Sequence, residues 1–354
     1  MRRIVLILAC ASFVGLGCSS PDTGGSTRRA GGGTETPAPS PGGNDAPPAP
    51  STETPPPAGT TIGDETWSDG KQIASNITIG AGKTVVISSG AQITVAAGVA
   101  ITIQGTLRST TGAAHASIVG PAGGSWTGLV VASGGTLTAD SLDISGATKA
   151  LWTLNGNTDA TFANGTITAD TPFTMEAGSK LSISKSTVTA KNPSALAGTF
   201  SASYMTYDKG TAEGLYMNDA AGTATIVDST LKGNGGGDYV VSSAAKLIDV
   251  SYTTITGSHC PLHFNAVDKF RIDHVSNLVN GYGPMFYGSG AGPNVISNSN
   301  LQDLTYDWDV QNANGTITID KSYAPGQKTV DAMNTAKVTV TNPVAAAVAD
   351  AKPH

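Results

Sequence analysis

The chain is poor in charge, in cysteine and in aromatic residues. Only 13% of its 354 residues are Asp, Glu, Lys or Arg, about half the usual ~25%. That excludes coiled coils, long charged helices and charge-driven disorder, all of which need dense ionic side chains. The 20 basic residues are outnumbered by 26 acidic ones, for a net charge of −6, so there is no positive footprint for nucleic acid. Beyond the first eighteen residues no apolar run approaches the ~18 residues a transmembrane helix needs. Helical periodicity is nearly absent after Ile62. What is abundant is glycine, 44 residues, set among Asn, Asp and Ser between short β-rich pieces.

The start of the chain reads as an address. Met1-Arg2-Arg3 is basic, and Ile4 to Gly17 is an unbroken run of apolar and small residues that closes on Cys18. A basic segment followed by a short apolar one is a secretory signal. A cysteine closing that run resembles the bacterial lipoprotein signal. Gly17 fits its small position before the cysteine, whereas Gly15 departs from the aliphatic residue usual three places before. Cys10, after Ile7-Leu8-Ala9, is the other candidate but leaves a very short apolar core. Cys18 is taken as the lipidated residue, and Ser19 after it is similar to outer-membrane sorting. With Cys18 acylated and Cys10 removed, Cys260 has no partner for a disulfide and reads as a small buried hydrophobe.

Residues 19–60 hold ten of the nineteen prolines, with Gly, Ser, Thr and Ala making up most of the remainder. Such a segment cannot bury enough apolar area to fold. As a flexible tether it would span roughly 35 Å or more.

The remainder repeats. An apolar-x-x-small-x-apolar pattern recurs at Ala139-Leu142-Ile144, Phe162-Gly165-Ile167, Ile183-Ser186-Val188, Phe200-Ser203-Met205 and Ile226-Ser229-Leu231. It continues at Val250-Thr253-Ile255, Ile272-Val275-Asn277, Ile296-Ser299-Leu301 and Ile319-Ser322-Ala324, with a mean step of 22.5 residues. A second series of alternating strands is in phase with it: Leu129-x-Val131, Leu151-x-Thr153, Phe173-x-Met175, Leu215-x-Met217, Tyr239-x-Val241, Leu262-x-Phe264, Met285-x-Tyr287 and Trp308-x-Val310. Two series with one period predict stacked coils whose named residues face inward and whose skipped residues face outward. A leucine-rich repeat would need a helical side between strands, and none fits.

These features resemble the right-handed parallel β-helix of the pectin-lyase-like superfold. The expected fold is all-β, with about 22–23 residues per coil and roughly eleven or twelve coils. The domain would run over 61–343, after a signal at 1–18 and the tether at 19–60, with 344–354 as a C-terminal cap or tail. Thr66-Trp67-Ser68-Asp69 and Val344 to Ala351 are the expected end caps. The chain looks like the repeat-bearing anchored β-helix proteins of Gram-negative surfaces.

That superfold hosts lyases, hydrolases, adhesins and spacers, so the fold does not decide the chemistry. Its lyases use a basic proton abstractor beside cation-neutralised uronate. Here the repeat region has only Arg108 and Arg271, and Arg271 is expected to pair with Asp249 one coil earlier. Ser258-His259-Cys260 and Arg271-Ile272-Asp273 fail the hydrolase motifs. The skipped positions of the second series read Val130, Trp152, Thr174, Tyr216, Val240, His263, Phe286 and Asp309. Trp152, Tyr216, His263, Phe286 and Asp309 are therefore the expected binding strip, since aromatic faces stack on sugars and carboxylates bond hydroxyls. Were the chain an enzyme, Arg271 and His263 would be its catalytic candidates. Gly235-Gly236-Gly237-Asp238 reads as a plain turn. His259-x-x-x-His263 needs a helix to bring both imidazoles together, and Pro261 in a strand context argues against one. No metal and no cofactor are expected. The expectation is an outer-membrane lipoprotein of a Gram-negative bacterium. Its membrane partner is the N-terminal lipid. Its rod binds or scaffolds polysaccharide or envelope protein without turnover, and does not bind nucleic acid. The alternatives are a polysaccharide lyase or glycoside hydrolase, and an inert spacer.

Overall fold

The computed structural model describes residues 54–354 apart from 155, 289, 291, 311–314, 327 and 331–336. Cys10, Cys18 and most of the tether lie outside the described residues. The described chain is all-β. It forms thirty-three strands with parallel pairing throughout and no α-helix, wound as a β-solenoid of about 12 turns. Strands stacked about 4.8 Å apart make a coil stack of roughly 55 Å.

Each coil contributes to three sheets in turn. The first begins with Thr60–Ile62, Ile77–Ile79, Ala100–Ile103 and Gly128–Val131. The second begins with Glu65–Trp67, Thr84–Ile87 and Thr106–Ser109. The third begins with Gln72–Ile73, Gln92–Val95 and Ala116–Val119. Later strands bend across corners. Leu142–Thr153 runs from the third sheet into the first, and Leu215–Val227 from the first into the second. Alternation puts Ile, Val, Leu and Phe inside, where they form one continuous core from Trp67 to Ile319.

The small residue of the repeat marks a built corner between the second and third sheets. The residue before it takes the left-handed conformation in coil after coil: Lys185, Asp228, Tyr252, Asn298 and Lys321 have φ between 46° and 49°. That turn points the next side chain inward, so a small polar group must follow. Ser229 Oγ donates to Val227 O at 2.8 Å and accepts Met205 N–H at 3.2 Å; Ser299 Oγ donates to Ser297 O at 2.7 Å and accepts Val275 N–H at 3.1 Å. These hydroxyls satisfy backbone groups that the corner would otherwise leave buried and unpaired.

Two assignments in the early and middle coils shift in register, and one expected cap lies within a coil. Ile79 pairs with Ile103 rather than Ile101. Ile183 pairs with Ala202, not Phe200, which pairs with Leu181 instead and is fully buried. Thr66-Trp67 is no separate cap. Trp67 lies in the first coil, paired with Ile87 and fully buried.

The C-terminal segment runs back along the side of the coils. Val348 exchanges hydrogen bonds with the Asn300 amide at 2.7 and 2.9 Å, Ser276 Oγ donates to Ala351 O, and His354 meets Asp228 at 2.6 Å. Tyr252 stacks on His274 at 4.6 Å and lies tilted against His354 at 4.3 Å. The segment is thus a lateral strap across successive coils.

Candidate functional site

The expected binding strip is a real column in part. Registers link Val130, Trp152 and Thr174, then Tyr216, Val241, His263, Met285 and Asp309. Val241 and Met285 stand where Val240 and Phe286 were expected. Met285-Phe286-Tyr287 is apolar or aromatic at every position, so its alternation reads equally well in either phase. Phe286 instead points inward. It is fully buried, stacked on Phe270 at 4.7 Å and tilted against Phe264 at 5.7 Å.

Nor is the column an open face. Trp152, Tyr216 and Asp309 are each 4% exposed. Trp152 forms a small separate apolar cluster with Ala100, Val130 and Leu154, and the Lys149 ammonium sits 4.1 Å from its ring centre. Burial raises the Tyr216 hydroxyl above its ordinary range. Only His263 keeps appreciable exposure. Arg271 lies on the second sheet, held 3.7 Å from Asp249 and 3.1 Å from Asp273. It shares no face with His263, so the two do not form a catalytic pair.

The chemistry converges at the turns that lead into the first sheet. Asp238, Cys260, Tyr282 and Tyr306 each precede their column residue by three positions in successive coils. Asp238 Oδ1 accepts from His259 Nδ1 at 3.0 Å and from Cys260 N–H at 2.9 Å, while Oδ2 pairs with His263 Nδ1. Burial opposes ionisation of Asp238. The two histidines outweigh it and hold the carboxyl far below the ordinary range. Both imidazoles therefore meet without a helix, because Asp238 reaches them from the neighbouring coil. Cys260 Sγ lies 3.3 Å from His259 Nδ1 and 3.2 Å from Met285 Sδ, and burial together with Asp238 pushes its thiol far up. The one nitrogen, His259 Nδ1, faces both thiol and carboxylate, so no nucleophile–base–orienter relay exists here. A buried, protonated thiol is no nucleophile.

Lys209 underpins this turn. It is fully buried, and its ammonium donates to Ala212 O at 2.6 Å, Gly237 O at 2.7 Å and Gly235 O at 3.4 Å. Burial lowers its pKa to about 8 against the opposing pull of Asp238, Glu213 and Asp208. Gly236 has φ +71°, and a Cβ there would stand 2.2 Å from Thr211 O, so the turn requires glycine.

Beside the cluster is a shallow groove of about 450 Å³, floored by Gly233 to Gly236 and walled by His259, Val279 and Leu304. Val279 is 65% and Leu304 73% exposed. An aromatic row continues from its His259 wall: His259 meets Tyr282 edge-on at 4.7 Å, and Tyr282 stacks on Tyr306 at 5.8 Å. Sequence reasoning missed Tyr282, Tyr306 and Leu304 because it followed the strands. A 24-residue interval between the two tyrosines within the turns was the available signal.

Asp303, the residue before Leu304, adds a pH dependence. Burial raises its carboxyl to about 7, against a 2.8 Å hydrogen bond from the Asn280 amide; Oδ2 is buried without a partner among the described residues. The folded chain therefore holds this proton more tightly than the unfolded one. Its contribution is complete below pH about 4 and fades as pH rises towards 7, roughly 2–4 kcal/mol in all. Thermal melts should show Asp303→Asn gaining on the parent across that window. Parallel curves would contradict a neutral Asp303.

No family model, curated protein or solved structure matches the chain. No helix among the described residues is long and apolar enough to cross a membrane.

Proposed function

We propose that this chain is an exported lipoprotein, anchored through Cys18 to the outer membrane of a Gram-negative bacterium, whose β-solenoid binds extended polysaccharide without turning it over. The observation that carries the reading is the groove between the glycine-rich turn and the exposed Val279 and Leu304, walled by His259, from whose ring the Tyr282 and Tyr306 rings continue. Its walls offer the apolar side chains of Val279 and Leu304 beside the His259 ring, and its floor is glycine-rich backbone. Sugar chains present the matching combination of C–H faces and hydroxyls. The lack of a relay around Cys260 and the ion-paired state of Arg271 favour binding over catalysis.

The test is a glycan array, followed by titration calorimetry and turnover assays on each hit. Cys18→Ala supplies soluble material, since it lacks the acceptor thiol and should leave the membrane fraction. Tyr282→Ala and Leu304→Ser should each weaken binding by about 1–3 kcal/mol with an unchanged circular dichroism spectrum. Hits unaffected by both changes, or any hit that is cleaved, would sink the reading.

A further inference from the structure

We propose that Asp238, His259, Cys260 and His263 form a metal site for a zinc-class divalent ion, closed across two consecutive coils. Three of the donors come from one short turn, His259-Cys260-Pro261-Leu262-His263, and Asp238 comes from the coil before it. Ligand atoms of Asp238, Cys260 and His263 all lie within 4.8 Å of one another. His259 Nδ1 is 3.0 Å from Asp238 Oδ1 and 3.3 Å from Cys260 Sγ. Tetrahedral zinc with bonds of about 2.0–2.3 Å needs donor separations of about 3.3–3.8 Å. His259 Nδ1 already sits near that spacing from Asp238 and Cys260, His263 Nδ1 is in hydrogen-bond contact with Asp238 Oδ2, and the widest gap among Asp238, Cys260 and His263, no more than 4.8 Å, would close by about 1 Å.

The donor types fit one another. A thiol, two imidazoles and a carboxylate are the mixed S, N and O set that zinc accepts. A second sulfur, Met285 Sδ, backs Cys260 at 3.2 Å, which adds soft character around the thiol. His263 faces Asp238 through Nδ1, the nitrogen it would offer an ion, while Nε2 on the other side of the ring is buried with no hydrogen-bond partner among the described residues. An ion has a way in, because the His259 side chain is 51% exposed and forms part of the groove wall. On binding, the Cys260 proton leaves to solvent and the sulfur bonds the metal as thiolate. Four protein ligands leave no open position, so the ion would pin the two turns together beneath the groove. The assignment is independent of what the groove binds.

The experiment is a cobalt(II) titration of the purified, chelator-stripped full chain, followed by zinc competition and metal analysis. The expected result is a near-ultraviolet thiolate-to-cobalt band that saturates at one ion per chain and is displaced by zinc. Zinc binding should release at least one proton in weak buffer. C260S should lose the band, and D238N and H263Q should weaken zinc by at least about tenfold. Where C260S fails to fold, H259A decides, since its exposed ring can be removed without opening the core; it too should weaken zinc by at least about tenfold. A folded parent with no band at excess cobalt overturns the site. So does a folded C260S, or an H259A, that binds zinc as tightly as the parent, and so does binding of copper(I) alone.

Discussion

Phe286→Ala should lower the unfolding free energy by about 3–5 kcal/mol and leave ligand binding by the remaining folded protein unchanged. The ring is fully buried and touches two others, Phe264 and Phe270. Removing it leaves a cavity that stacked coils cannot collapse, since each is pinned by hydrogen bonds above and below. The lost aromatic contacts add to the lost transfer energy. Denaturant unfolding followed by circular dichroism measures the effect, and Phe286→Leu should recover about half of it. A loss below about 1 kcal/mol would mean that Phe286 faces outward after all, which is what strand alternation alone suggests.

Lys209→Met should cost about 2–5 kcal/mol and also weaken groove binding. The substitution keeps the stem and deletes the donor, so the carbonyls of Ala212 and Gly237, which accept from Nζ at 2.6 and 2.7 Å, lose their partner in a buried place. The glycine-rich turn then keeps its backbone hydrogen bonds to Thr211 O, Gly257 O and His259 N–H but loses its ammonium anchor. The pH dependence gives a second readout. The folded amine, with its pKa lowered to about 8 by burial, loses its proton before the unfolded one does. The unfolded chain then binds more protons, so parent stability should rise from pH 8 to about 9.5, before the tyrosines titrate. Lys209→Met should be flat over that interval. An equally steep rise in the variant would assign the effect to another group.

The two sites differ in how well the sequence disclosed them. The coil period, the inward aliphatics and the serine corner could be read directly. Alternation of period two, a left-handed corner residue and the small residue behind it are local properties, repeated often enough to survive individual irregularities. Ser186, Ser229, Thr253 and Ser322 all stood in the pattern before their ladder was seen, each donating to the carbonyl two residues back. The Asp249–Arg271 pair was likewise legible, because both sit at one strand position in adjacent coils.

Tertiary structure decided everything that depended on turn length and on contacts a whole coil apart. The column step varies, with Ile183 to Ala202 and Ala202 to Ile226 differing by five residues, so a mean period cannot say whether Met285 or Phe286 faces the core. Asp238 lies 21 residues from His259 and 25 from His263, and Lys209 lies 28 from Gly237. No short motif joins such residues. Their meeting is set by stacking each turn on the one below, which is a property of the wound solenoid and not of any segment within it.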